Sequence, residues 1–292
     1  MRFVAFNKEG VSGVGVLLQD DRVLDVRSVL KDVSSIKALI ERASDDDIAL
    51  LASATSRVED YRTYGLSEVV ICPPIKRPIH DILCVGVNYL DHLKETKDTV
   101  KGFKEATAPV YFSKRAISIL GSEDTIELRD DLDDKLDYEV ELAVIIGKRG
   151  KDIPIEEVED YIFGYSVFND ISSRSLQKRH GQWFRGKSLD TYTAMGPAIL
   201  HKSALPFPVK IDVRSYVNDE LRQSSNTEMM IADIPSLISE LSMGMTLEPG
   251  DIVATGTPAG VGMGFSPPKY LKKGDKVVCE IPSIGKLVNY IN

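Results

Sequence analysis

Tryptophan occurs once in these 292 residues, cysteine three times and histidine four times. Cys72, Cys84 and Cys279 are scattered, with neither zinc-like nor redox spacing, and read as reduced thiols of a cytoplasmic protein. No apolar run approaches the roughly 18 residues that a membrane-spanning helix needs. Asn7, Lys8 and Glu9 break the first segment too early for a signal peptide. A soluble chain with no membrane partner is therefore expected. Positive charge is in deficit as well: 36 Lys and Arg stand against 44 Asp and Glu, a net charge of −8 with a pI near 5.2. Such a surface repels nucleic acid phosphates and anionic lipid, so nucleic acid is not an expected partner. What remains is ordinary for a globular protein with a real core, 43% hydrophobic and 27% charged. Internal repeats and low-complexity tracts are absent.

Residues 1–72 read as a small strand-rich unit. Phe3–Phe6, Gly13–Leu18 and Val23–Val26 are short strand-like runs between Gly and Asp turn signals. Ser34 or Ser35 is placed to cap a helix with Ile36, Leu39, Ile40 and Ala43 at helical spacing. Cys72-Pro73-Pro74 marks the expected boundary with a second unit, residues 73–292. There the strand signals are 82–87, 139–146, 161–168, 211–217, 251–254 and 277–281, with short helices at 91–97, 172–178 and 234–242. These runs do not alternate regularly with helices, which argues against a doubly wound parallel sheet. An α+β class, predominantly β and built as a roll or barrel, is expected.

The chemistry concentrates in Asp137-Tyr138-Glu139-Val140-Glu141-Leu142-Ala143-Val144-Ile145. On a strand, Glu139 and Glu141 share one face with Ala143 and Ile145, and their Cα atoms lie about 7 Å apart, within reach of one ion. Solvated strand faces also carry paired glutamates, but Ala143 and Ile145 imply that this face is covered. Two covered like charges call for a cation. Asp170 ends a second apolar run and also suits the N-cap of a following helix. An all-oxygen set of Glu139, Glu141 and Asp170 favours Mg²⁺, Mn²⁺ or Ca²⁺ over zinc. Three carboxylates with a divalent ion leave a net charge near −1. Asp130, Asp131, Asp133 and Asp134 lack the glycine and final glutamate of a calcium loop and read as a solvated turn.

Five ordered stretches carry a resemblance. They are Asn88-Tyr89-Leu90-Asp91-His92, the segment 137–142, Asn169-Asp170-Ile171-Ser172, Gly186-Lys187-Ser188-Leu189-Asp190-Thr191 and Thr255-Gly256-Thr257-Pro258-Ala259-Gly260-Val261-Gly262. In this order, over residues 73–292, the chain resembles the fumarylacetoacetate hydrolase family. The resemblance implies a mixed β-sandwich roll, a homodimer, and Mg²⁺ or Mn²⁺ on Glu139, Glu141 and Asp170. It also implies reactions at carbon–carbon bonds beside the carbonyls of small anionic 2-oxo acids. Large members have a fourth acidic ligand where this chain has Asn88, so the smaller, three-carboxylate members are the better match.

His92 and Glu95, three apart on a helix, lie on one face. They could be a surface pair, but the resemblance favours a base, His92, oriented by Glu95. Arg174, Gln177, Lys178, Arg179, His180, Arg185 and Lys187 form the basic stretch of an acidic chain. By the resemblance, Lys187 and Gln177 donate to an oxygen that becomes negative, and Arg174 pairs with a substrate carboxylate. Thr257 is assigned a hydrogen bond to that carboxylate. Trp183 reads as core or interface packing, Lys114 has no assigned role, and His80, His180 and His201 read as structural. Residues 91–108, polar and poor in large apolar groups, read as a lid. The expected reaction is hydrolytic carbon–carbon cleavage of an acylpyruvate-like acid through a metal-stabilised enolate. An oxaloacetate-type decarboxylase is the alternative, beside isomerase, hydratase or lyase activity on a related 2-oxo acid. A non-catalytic metal or small-acid binder has no need of His92, Glu95 and Lys187.

Overall fold

Period-2 patterning forms strands whose two faces enter different cores. In the N-terminal segment these are β1 (Arg2–Lys8), β2 (Val11–Leu17), β3 (Arg22–Asp25), β4 (Thr63–Gly65) and β5 (Val70–Cys72). Between β3 and β4 lie α1 (Ile36–Arg42) and α2 (Asp45–Ala54). Ser35 accepts from the Ala38 N–H, and Ser44 with Asp47 forms a reciprocal capping box, so both helix starts have their exposed donors satisfied.

Next come β6 (Ile82–Gly86), α3 (Leu90–Thr96), β7 (Val110–Lys114), β8 (Thr125–Ile126), β9 (Leu136–Asp137) and β10 (Val140–Ile146). They are followed by α4 (Val158–Tyr161), β11 (Ile162–Asp170), β12 (Ser172–Ser173), α5 (Arg174–Arg179), α6 (Phe184–Lys187) and β13 (Thr193–His201). The chain ends with β14 (Asp212–Val217), β15 (Glu220–Asn226), α7 (Ile234–Ser242), β16 (Ile252–Ala254), β17 (Lys276–Ile281) and β18 (Gly285–Ile291). This computed structural model describes residues 1–96 and 108–292. Most of the lid read from the sequence, residues 97–107, lies outside the described residues.

A large sheet runs β4-β3-β2-β1-β13-β11-β10-β16-β6-β7, with β5 also paired to β1. A second sheet has the order β15-β14-β17-β18-β8. One face of the large sheet packs against this second sheet through Val140, Leu142, Val144, Tyr165 and Val167 on one side and Val213, Val277, Cys279 and Leu287 on the other. The opposite face, with Ala143, Ile145 and Phe168, is covered in part by Ile36, Leu39, Ile40 and Leu51 of α1 and α2. The architecture is α+β and mostly β, as expected. Strands before Cys72-Pro73-Pro74 and after it belong to one sheet, since Arg2 faces Leu200 and Phe3 faces Ile199 where β1 meets β13.

β13 had no strand signal in the sequence. It contains Pro197, which lacks the N–H that an interior strand uses. β11 accommodates it with a register shift between Tyr165 and Val167, where the Ser166 hydroxyl donates to the Ala198 carbonyl at 2.8 Å.

Candidate active site and metal centre

β10 and β11 run antiparallel with Val140 opposite Asn169, and the Asp170 N–H donates to the Glu139 carbonyl at 2.9 Å. This register brings Asp170 beside Glu139, and alternation brings Glu141 to the same face. All three carboxylates are buried, and one oxygen from each lies within 4.8 Å of the others. Among the described residues no other three His, Cys, Asp or Glu side chains form such a group. Asp170 caps no helix; it ends β11, and Ser173 precedes α5. The first turn of α5 is held instead by Asp133, whose Oδ2 accepts from the Ser175 N–H at 2.7 Å and the Ser173 hydroxyl at 2.5 Å. Asp133 is therefore buried, not part of a solvated turn.

Three buried cations surround the triad. Lys187 on α6 donates to Glu139 Oε2 and Asp170 Oδ2, both at 2.7 Å. Lys114, at the end of β7, donates to Asp170 Oδ1 at 2.5 Å and to the Ile171 carbonyl at 2.9 Å. Arg174 reaches Asp137 Oδ2 at 2.9 Å through Nε and Glu139 Oε1 at 2.7 Å through Nη1. Burial by itself raises the Glu139 pKa, but Lys187, Arg174 and His92 outweigh it and hold the carboxyl at about 2. Among the described residues, the direct donor to Glu141 is the Gly256 N–H, at 2.9 Å. Burial, then Asp170 and Glu139, push its pKa well above the ordinary value.

The residues fit a hard divalent cation. Four buried carboxylates (Asp137, Glu139, Glu141, Asp170) face three buried cations (Lys114, Arg174, Lys187), which leaves one negative charge uncompensated. With all four counted as ionised, the excess falls on Glu141, which makes no direct ion pair among the described residues and whose raised pKa reflects that. Carboxylate oxygens without nitrogen or sulfur suit Mg²⁺ or Mn²⁺. With Lys114 and Lys187 counted, a divalent ion makes the cluster net positive by one, in place of the −1 inferred from three carboxylates alone.

His92 and Glu95 form the expected pair, with His92 Nδ1 3.0 Å from Glu95 Oε2. Glu95 Oε1 accepts from the Gly260 N–H at 2.9 Å, so the glycine-rich segment holds the carboxylate. A Cβ on Gly264 would lie 2.0 Å from Glu95 Oε1, so only glycine lets this carboxylate approach. The same segment donates from the Gly262 and Met263 N–H groups to Asp137, at 2.7 and 3.0 Å. Asp137 thus links Arg174 to the glycine segment, a role with no signal in the sequence.

A cavity joins these parts. His92, Glu139, Glu141, Arg174, Gln177 and Thr257 line it together with Val85, Gly86, Val87, Phe112, Trp183 and Met263. Arg174 Nη2 is buried with no acceptor among the described residues. Gln177 accepts from Arg174 Nη1 at 3.1 Å. Thr257, assigned to a substrate carboxylate, lines the cavity, and its hydroxyl donates to the Val140 carbonyl at 2.8 Å and accepts from Gln223 at 2.7 Å. Trp183, read as packing, is a wall of the cavity. Asn88 is a staple, not a ligand; its amide donates to the Thr255 and Ala232 carbonyls and accepts from the Ala232 N–H. His80 pairs with Asp251 at 2.7 Å, away from the site.

Residues 81–292 match the family profile described as fumarylacetoacetate (FAA) hydrolase C-terminal. The chain is 42% identical over 291 residues to oxaloacetate tautomerase YisK of Bacillus subtilis (strain 168), covering 95% of both. A fumarylacetoacetate hydrolase from the psychrophile Exiguobacterium antarcticum is similar over 100% of this chain and 99% of its own, with TM-score 0.83 and 39% identity. Maleylpyruvate hydrolase from Sphingobium sp. SYK-6, solved with manganese(II) and pyruvate, has TM-score 0.77 and 26% identity over 100% of this chain and 98% of its own.

Proposed function

The chain belongs to the fumarylacetoacetate hydrolase family, and from that premise we propose that it is a divalent-metal-dependent enzyme of small anionic 2-oxo acids, interconverting the keto and enol forms of an oxaloacetate-like dicarboxylate. The observation that carries this reading is the buried Glu139–Glu141–Asp170 triad, two of whose members, Glu139 and Glu141, line one cavity with His92, the partner of Glu95. The likeness to an oxaloacetate tautomerase over nearly the whole chain supports the choice of reaction.

Mg²⁺ or Mn²⁺ bound by Glu139, Glu141 and Asp170 supplies Lewis-acid polarisation of the 2-oxo acid and stabilises charge developing on its oxygens. Glu95 accepts from His92 Nδ1, which makes Nε2 the basic ring nitrogen. His92 takes a proton from the carbon beside the 2-oxo group. The C–H electron pair becomes the enol double bond, the carbonyl π pair moves to the 2-oxygen, and that oxygen takes a proton from water while His92 returns its own to solvent, so the two forms remain isomers. Lys187, fixed by two carboxylates, donates to that oxygen as it gains charge. Arg174 Nη2 and the Gln177 amide orient the substrate carboxylates.

The His92–Glu95 pair also favours a second reading, hydrolysis of acylpyruvate-like acids. There His92 deprotonates a water that attacks the distal carbonyl. The carbon–carbon bond then breaks to a carboxylic acid and a pyruvate enolate, which is protonated to pyruvate.

Oxaloacetate and a set of acylpyruvates, each with Mg²⁺, Mn²⁺ or EDTA, separate the readings. Tautomerisation changes the enol absorbance and conserves total 2-oxo acid, hydrolysis yields pyruvate and a second acid, and decarboxylation yields CO₂. Without metal-dependent turnover of any member, the assignment fails. His92→Ala is expected to lower tautomerisation or hydrolysis by about 10²–10⁴-fold while metal binding persists. Full activity in that variant excludes His92 as the base.

A further inference from the structure

Trp183 is the sole tryptophan of the chain, and it stands in the wall of the active-site cavity. Its main chain and side chain have separate tasks. The Trp183 carbonyl accepts from the Gly186 and Lys187 N–H groups, at 2.9 and 3.1 Å, and so closes the turn that presents Lys187. The indole meets the Phe112 ring edge-on, with centroids 5.2 Å apart at 70°. On β6, a Cβ at Gly86 would lie 2.2 Å from indole Cζ3, so glycine at that position is what admits the ring. Three elements, β6, β7 and the start of α6, thus converge to hold one aromatic pair against the cavity. Val85, Val87 and Met263 add further apolar side chains to the lining.

We propose that the Phe112–Trp183 pair is the specificity-determining wall of the site, restricting it to short, unbranched 2-oxo acids of the size of oxaloacetate or acetylpyruvate and excluding longer acyl tails. This rests on the 2-oxo acid reading above and adds the size limit to it. The physical basis is steric: an aromatic ring clamped by a second ring and a glycine cannot yield to an extra methylene without losing contacts. In an apolar pocket one methylene changes kcat/KM by about 10–200-fold.

Two variants of opposite sign test the wall on a series of linear 2-oxo acids of increasing tail length, with Mg²⁺ present. Trp183→Ala opens the cavity and is expected to raise kcat/KM for the longer acids relative to oxaloacetate by about 10-fold or more. Gly86→Ala drives the indole from its seat and is expected to depress turnover of every acid longer than oxaloacetate relative to oxaloacetate itself. An unchanged ratio in Trp183→Ala overturns the proposal. A second measurement needs no variant. Because Trp183 is alone, the tryptophan emission of the native protein reports on this wall, and pyruvate with Mg²⁺ is expected to shift or quench it. Calorimetric binding of pyruvate with unaltered emission removes Trp183 from the wall while leaving the 2-oxo acid reading intact. If calorimetry finds no 2-oxo acid bound, the reading of the site itself fails, and the size limit with it.

Discussion

Lys114 places a charge where no solvent reaches and gives it two acceptors, Asp170 Oδ1 and the Ile171 carbonyl. Removing one partner of a buried ion pair costs about 3–5 kcal/mol, because the other charge remains buried. Lys114→Met is therefore expected to lower the thermal midpoint of the protein in EDTA. Added Mg²⁺ should recover more of the loss than it adds to the parent, since the variant holds two uncompensated negative charges where the parent holds one. Thermal melts of both proteins with EDTA and with Mg²⁺ check this; equal metal-dependent gains would contradict it. Glu139 and Glu141 were legible in the sequence because alternation along one strand fixes their common face. Lys114, Asp133 and Asp137 were not, because their partners lie 56, 42 and 125 residues away in the chain. Nothing in the local pattern distinguishes a buried Asp133 from its exposed neighbours.

At the level of elements, the junction of β1 and β13 carries its own titration. His201 ends β13 with its N–H on the Met1 carbonyl, and its ring stands edge-on to Phe163 and Phe3 at 5.3 and 6.1 Å. Burial first, then the N-terminal ammonium and Lys202, hold its pKa down to about 4. The fold therefore keeps His201 neutral, while the unfolded chain protonates it near pH 6.5. Its contribution is present above about pH 6.5 and lost as the pH falls towards 4, a loss on the order of 2 kcal/mol. Urea unfolding from pH 7 to 4 should show this decline, and His201→Phe should flatten it. Elements with local signals were readable: Ser35 caps α1, and the 234–242 helix is found where its pattern put it. β13 was not, because Pro197 contradicts a strand unless the neighbouring strand bulges, which only the assembled sheet reveals.

Across the whole molecule, the second core unites residues from both ends of the expected domain boundary. Phe3, Val14 and Leu24 pack in the same cluster as Ile82, Ala143, Phe168 and Ile252. Expression of residues 73–292 alone is expected to give aggregated protein without a cooperative melt, since that face of the sheet loses its cover. A soluble fragment with a sharp transition would count against this. The class of fold was legible from the irregular alternation of strand and helix signals. The strand order was not, because it pairs segments far apart in sequence, and β16 lies parallel to β6 with Val253 opposite Leu83.

That last pairing has a consequence for how the protein is made. β16, residues Ile252–Ala254, is inserted between β10 and β6, third from one end of the large sheet. On the ribosome, at about 5–20 residues per second, β6 and β10 emerge long before the strand that joins them. Each offers an unpaired hydrogen-bonding edge to the crowded interior of the cell during that interval. The nascent chain therefore holds the carboxylate triad of β10 and β11 apart from the His92–Glu95 pair that follows β6, until β16, with Gly256 and Gly260 close behind it, closes the seam.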